Sequence, residues 1–446
     1  MATIEQMKKD GVDMYPVTTP KAVRYPDGAS IDSRVGNLDS LKTATKNSIV
    51  DAVNEIKDEI ESGEATLHGN AWGVVLNPNS ANSALEIVGN YALWTEFKER
   101  IGRYLITNDG SKAIKLDTVD STKYVDGASV DESKGHVMVH VPDLYYRVET
   151  ALNGNVTLWM SESPIGGHSI HTSGEGNGSW IGAYIGRSVG GKLVSRSGGQ
   201  PHNNITISAF FNLAQQNGQE FGLSDYKHRQ LMMMLYLSEY HNENSQAMLG
   251  YGMNGNTDNW SHSYMAHTGA TAVLGDGCGK VAYTDNGSVA GANHVSLFGI
   301  EDPYGWYWEM IQGCYFGNSG NAAHSGTEMF IYEGNRMPSS EELTTHPAGD
   351  YRQMVRPTSS DNVYSLQMGE HFDVLPGKLG GGGWSDYHWA NTRGQLLLWG
   401  GASYDGSPCG LACSYSANTF SFAASDCAAR LAYYGNPAIV TRESEL

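Results

Sequence analysis

Positive charge is scarce in this chain. Lys and Arg total 29 against 48 Asp and Glu in 446 residues, a net charge of −19. The basic stripe by which a protein meets duplex phosphates is missing, so nucleic acid is excluded as a partner. The acidity suits a soluble surface and not an anionic membrane. Charge of either sign is low, 17% of residues, where about 25% is usual. No apolar run approaches the ~18 residues of a spanning helix, which excludes membrane insertion of that kind. Met1-Ala-Thr-Ile-Glu has neither the basic start nor the apolar stretch of a secretory signal. Cysteine is rare too: Cys278, Cys314, Cys409, Cys413 and Cys427 are odd in number and lack zinc spacing. They indicate assembly in a reducing cytoplasm without an obligatory disulfide framework. No nucleophile elbow, Walker loop, His-Glu-x-x-His or dinucleotide fingerprint occurs. Accordingly no catalytic residue, metal or cofactor is assigned.

Glycine and aromatic residues are abundant instead, with 54 Gly, 25 Tyr and 10 Trp. Such a chain is turn-rich, too aromatic to be disordered, and long enough for a substantial core. Residues 1–30 carry only short strand-like pieces around prolines and cannot bury a core of their own. From 31 to 66 the pattern becomes helical, with Ile49, Val53, Ile56 and Ile60 spaced 4, 3, 4. That is a coiled-coil seam, and Ile at both seam positions favours three strands over two. A lone amphipathic helix packed on its own domain is the alternative. Residues 67–133 hold short apolar runs between turn signals, read as a small β-rich domain. The block 134–446 opens on the alternating run His136–Pro142. Two helical runs follow, Ser208–Ala214 and Lys227–Leu237, then long loops pinned by Trp and Tyr.

Several clusters in that block resemble sites. In the peptide from Phe298 to Met310, Glu301, Asp302 and Glu309 have the chemistry of metal or sugar ligands. The competing reading is a core strand whose Glu309 satisfies backbone groups, with Trp306, Trp308 and Met310 alternating onto one face. Glu239, His241 and Glu243 do not share a helix face. The oxygen-rich run Asn254–Asn259 lacks the closing Glu of a calcium loop and is explained by turn chemistry.

The most informative absence lies at 379–442, which has neither Lys nor Glu. Gly, Trp, Leu and Arg pieces there frame clusters of Tyr, Ser, Asn, Asp and His. Tyr gives broad contact at low entropic cost and Ser and Asn adapt their hydrogen bonds, as in antibody paratopes. The framing pieces include Gly382-Gly383-Trp384-Ser385, Leu398-Trp399-Gly400-Gly401, Tyr404-Asp405-Gly406, Gly410-Leu411 and Ala429-Arg430-Leu431. On these residues the C-terminal block resembles the C-type-lectin-fold variable proteins of diversity-generating retroelements, which include phage tropism determinants. Trp306-Tyr307-Trp308-Glu309 looks like a strand of the related formylglycine-generating-enzyme-like fold. The Tyr15-Pro16-Val17-Thr18 start and the Leu41–Ile56 helix are similar to phage fibre N-termini. Cys427-Ala428 departs from the Ile-Gly usual at that point in the family.

The resemblance implies an α+β chain with a C-terminal C-type-lectin-like domain (134–446), its variable region at about 384–430. A virion-anchoring segment (1–30), a trimerising coiled coil (31–66) and the small β-rich domain (67–133) precede it. Adenine-directed mutagenesis of Asn-type codons yields Tyr, Ser, Asp, His, Asn, Ala or Cys but not Lys or Glu, which agrees with their absence. The implied function is host attachment by a phage fibre or receptor-binding protein, a homotrimer assembled in the host cytoplasm and located in the virion. It would bind a host surface glycan or protein, and other virion proteins through its N-terminus. Expected ligand contacts are Ser385, Asp386, Tyr387, His388, Asn391, Tyr404, Asp405, Ser407, Tyr415, Ser416, Asn418 and Phe420. Trp384, Trp399 and Arg430 are the expected scaffold. An enzyme of the same broad fold, or a purely structural head-decoration fibre, is the alternative.

Overall fold

A computed structural model describes residues 69–164, 177–254, 266–283, 291–346 and 351–446, together with the short strands Lys8–Lys9, Val12–Asp13 and Ser169–Ile170. The chain divides into two compact units, Met1–Gly69 and Asn70–Leu446. In the first, Lys8–Lys9 pairs antiparallel with Val12–Asp13. The expected anchor at 1–30 is otherwise outside the described residues, as are the 31–66 helix and its seam of Ile49, Val53, Ile56 and Ile60.

The second unit is mixed α+β and mostly sheet. Apolar β-branched runs too short to stand alone pair over long sequence distances. Trp72–Leu76 lies between Glu86–Gly89 and Val156–Ser161 in a five-stranded sheet. Gly102–Thr107 pairs along its whole length with Gly135–Val141. These two belong to a seven-stranded sheet that also takes Ser179–Ile185, Arg430–Tyr433 and, at one edge, Ala438–Val440. The expected boundary between 67–133 and 134–446 therefore cuts through two sheets and separates no compact unit. Turn signals mark the ends of short strands, but nothing local in them tells which distant strand completes the sheet.

The two expected helices form as Ile207–Gln215 and Tyr226–Tyr240. The second begins with a capping box, the Asp225 carboxylate accepting from the His228 amide. It is buried on nearly all sides, from Tyr226 through Ser238 with Lys227 only half-buried; the apolar run Leu231–Leu237 packs in the core, and the polar His228, Arg229 and Gln230 are buried with hydrogen-bond partners. A second seven-stranded sheet carries the C-terminal region, in the order Phe372–Leu379, Asp361–Met368, Tyr387–Ala390, Ser414–Asn418, Leu396–Trp399, Trp308–Ile311, Cys427–Ala428. Alternation along its strands sends side chains to two cores. Leu397, Trp399 and Ile311 join the core around the Tyr226–Tyr240 helix. Leu396, Leu398, Trp308 and Met310 join a core shared with Ile106, Met138, Trp180 and Leu431 of the other sheet. Trp306 does not share that face; it packs with Tyr307, Tyr283 and Met253.

Where the two sheets meet, three charges are buried together. Glu309 receives Arg229 Nη2, and Arg430 Nη2 at 2.8 Å. Arg430 also donates to the carbonyls of Gly182, Ala183, Glu301 and Asp302. The flanking arginines hold the Glu309 carboxyl below its ordinary range against the opposing effect of burial. Glu301 accepts from the amides of Gly269 and Thr271, each at 2.7 Å. Asp302 bonds His294 Nδ1 at 2.6 Å. All three acids thus meet buried donors, but Glu309 is a counter-ion to two arginines and not, as the core-strand reading had it, a partner of backbone groups.

Candidate functional site

The expected scaffold is buried throughout. Trp384, Trp399 and Arg430 have no exposed surface. The Trp399 indole donates to the Leu411 carbonyl at 2.9 Å, tying one end of the 400–413 loop to the other. Gly401 has φ +76°, and a Cβ there would lie 2.1 Å from Cys409 Sγ, so no other residue fits the turn. Gly394 lies flat on the neighbouring strand, where a Cβ would meet the Ser416 carbonyl oxygen at 1.8 Å.

Strand parity sorts the polar and aromatic side chains around this frame. Tyr387–Ala390 runs parallel to Ser414–Asn418 with His388 opposite Ser414 and Trp389 opposite Tyr415. Successive side chains point to opposite faces, so Tyr387, Trp389 and Tyr415 share one face while His388, Ser414 and Ser416 share the other. On the outward face the rings touch. Trp389 and Tyr415 lie near-parallel, 6.3 Å apart. Tyr387 sits 4.6 Å from Trp389. Trp308 meets Trp389 and Tyr415 edge-on at 5.5 and 5.7 Å. This is the face whose centre carries the core of Leu398, Trp308 and Met310. It passes into solvent at Tyr387, Trp389 and Tyr415, all half-buried, with Phe420 and Phe422 beside it.

Tyr404, Asp405 and Asp426 adjoin these rings. Tyr404 is 38% exposed and its hydroxyl donates to Asp426. Asp405 Oδ2 accepts from the Ala402 amide at 2.8 Å. Burial, and then the charge of Asp426, push the Asp405 carboxyl up to about 6. Burial and the same two carboxylates raise the Tyr404 phenol.

Nine of the expected contacts are at least partly exposed: Ser385, Tyr387, Asn391, Tyr404, Asp405, Ser407, Tyr415, Asn418 and Phe420. Ser385 stands apart from the ring cluster, accepting from Asn244 Nδ2 at 3.0 Å. The other three are corrected. Asp386, His388 and Ser416 have no exposed surface. Asp386 accepts from the Ala412 amide at 2.9 Å, and burial holds its carboxyl well above the usual range. His388 Nδ1 shares a hydrogen bond with Ser414 Oγ at 2.8 Å, and burial lowers its pKa to about 4. The composition of the segment could not separate inward from outward positions; the two-residue period does.

Two residues outside the expected set complete the site. Trp389 has the parity of Tyr387, a signal present in the sequence. Arg356 had no signal. Its guanidinium is buried among backbone carbonyls, donating to Gly326, Ser416, Asn391 and Gly394 at 3.0, 2.7, 2.8 and 3.2 Å. It fixes the loop after Tyr387–Ala390 to the adjacent strand. Burial lowers its pKa to about 10.

Cys409 and Cys413 lie behind the face with their sulfurs 3.8 Å apart. Both are wholly buried. Burial pushes the Cys409 thiol up to about 11 and holds that of Cys413 well above the usual thiol range, so neither is a ready thiolate nucleophile or ligand.

No family model matches the chain, and no curated protein matches it.

Proposed function

We propose that this chain is a phage receptor-binding protein that attaches the virion to a host-cell surface through the face around Tyr387, Trp389, Tyr404 and Tyr415, carried on a C-type-lectin-like domain. One observation carries the reading. Phenolic, indole and small polar side chains stand outward together, while Trp384, Trp399, Arg430 and Arg356 hold their backbone rigidly from within. Side chains on such a frame can be exchanged without disturbing the fold, which a diversified binding surface requires. Protonated, buried thiols favour binding over the chemistry of the enzymatic alternative.

The test is adsorption of the purified chain to candidate host strains, alongside glycan and surface-protein arrays. Tyr404→Ala with Tyr415→Ala is expected to weaken cell binding about tenfold or more, since truncated aromatic anchors cost about 2 kcal/mol or above. Unchanged adsorption by a variant that still unfolds at the wild-type urea midpoint would refute the assignment. The chain acts as a homotrimer on this reading, and three heads add avidity where their spacing permits. Sedimentation should then give about three times the 48.3 kDa chain mass. A monomer at micromolar concentration would remove that part of the proposal.

A further inference from the structure

We infer that the aromatic face takes a basic side chain, lysine or arginine, presented by a protein on the host surface. This rests on the attachment reading above and specifies what that face recognises. The rings of Trp389 and Tyr415 are adjacent and belong to partly exposed residues, with Trp308 closing one side. Cations are attracted to such faces, to Trp above all.

The rim supplies the matching charge. Asp426 is close enough for its charge to resist ionisation of Asp405, and both charges are felt at the Tyr415 hydroxyl. Among the described residues, neither carboxylate is paired with a Lys, Arg or His side chain. From 379 to 442 the cationic side chains besides histidine are Arg393, Arg430 and Arg442; Arg430 is wholly engaged by Glu309 and backbone carbonyls, and neither Arg393 nor Arg442 forms an ion pair with Asp405 or Asp426 among the described residues. The face is therefore aromatic and carries two carboxylates that no cationic side chain pairs among the described residues. An incoming ammonium or guanidinium relieves the repulsion between the carboxylates and covers the rings. An open sheet face with Tyr404 exposed beside it suits a side chain on a protein surface better than a small free cation, which needs an enclosing pocket.

Three probes test this by tryptophan fluorescence and calorimetry on the full-length chain: tetralysine, its Nε-acetylated form, and the neutral glycan chitotetraose. Tetralysine should bind saturably at neutral pH, and the acetylated peptide about tenfold more weakly or worse. Asp405→Asn with Asp426→Asn, which keeps an oxygen to accept from the Ala402 amide, should lose binding by about the same factor. The same charge change at Glu86→Gln and Glu96→Gln, both exposed on other elements, should leave binding within about twofold. Equal losses in the two pairs of variants would reduce the effect to bulk charge and overturn the inference. So would tetralysine binding that survives Asp405→Asn/Asp426→Asn, or saturable binding of chitotetraose in place of tetralysine. Cell adsorption separates the two levels of the argument. If Tyr404→Ala/Tyr415→Ala abolishes adsorption and Asp405→Asn/Asp426→Asn leaves it intact, the cation inference fails and the attachment reading stands.

Discussion

Arg430→Met is expected to cost the folded protein about 3–5 kcal/mol, the usual loss when one member of a buried ion group is removed. The side chain has no exposed surface. Methionine fills a similar volume but leaves Glu309 facing Arg229 alone. It also strips a donor from four carbonyls, those of Gly182, Ala183, Glu301 and Asp302. Each is left without that partner in a dry interior, a further cost of the order of 1–3 kcal/mol where no other donor serves it. Urea unfolding followed by tryptophan fluorescence measures the loss. A combined Arg229→Met/Glu309→Leu/Arg430→Met variant should recover part of it, because burying three charges is itself expensive. Recovery stays incomplete because those carbonyls still lack the Arg430 donor. A single-variant loss under about 1 kcal/mol would mean that the triad is not what joins the two sheets.

That triad also shows where sequence reasoning reaches and where it stops. Arg430 was legible as scaffold because it stood in an Ala-Arg-Leu frame beside residues of a different character, and Trp384 and Trp399 were legible for the same reason. The Ile207–Gln215 and Tyr226–Tyr240 helices were legible from local pattern. The partner of Arg430 was not: Glu309 lies 121 positions away, and its readings were a ligand or an acid satisfying backbone groups, never a counter-ion. Parallel pairing of Tyr387–Ala390 with Ser414–Asn418 was likewise invisible, because no local signal sets the register between distant strands. Without it, Asp386 and His388 could not be told from Tyr387 and Trp389, although the four alternate in a single run. Arg356 is the extreme case. Its partners are main-chain carbonyls, which leave no trace in side-chain composition.

The second large effect is a dependence of stability on pH, centred on Glu243. Its side chain is buried beneath the Gly383-Trp384 turn, where a Cβ on Gly383 would lie 2.2 Å from Glu243 Oε2. Burial pushes its carboxyl up to about 8, opposed only by the Trp384 indole. The folded state therefore keeps this proton over a range in which the unfolded chain, with an ordinary carboxyl near 4.5, has released it. Stability from this group is complete below the lower value and is lost as pH rises through the upper one. Each unit of separation is worth about 1.4 kcal/mol, so the loss across the window is on the order of 3–5 kcal/mol. Glutamine keeps the shape of the protonated acid and cannot ionise. Glu243→Gln should match the wild type in urea at pH about 4.5 and be more stable by a few kcal/mol at pH about 8.5. The comparison at two pH values is decisive, since other buried groups titrate alike in both proteins and cancel in the difference. Because Glu243 lies directly under Trp384, the wild-type frame should loosen first in alkaline solution. Hydrogen exchange at residues 384–390 should therefore rise between pH about 6 and about 9 beyond the intrinsic increase, and Glu243→Gln should suppress the excess. A urea difference that is the same at both pH values would show that Glu243 is ionised in the folded protein, and that the turn above it tolerates the charge.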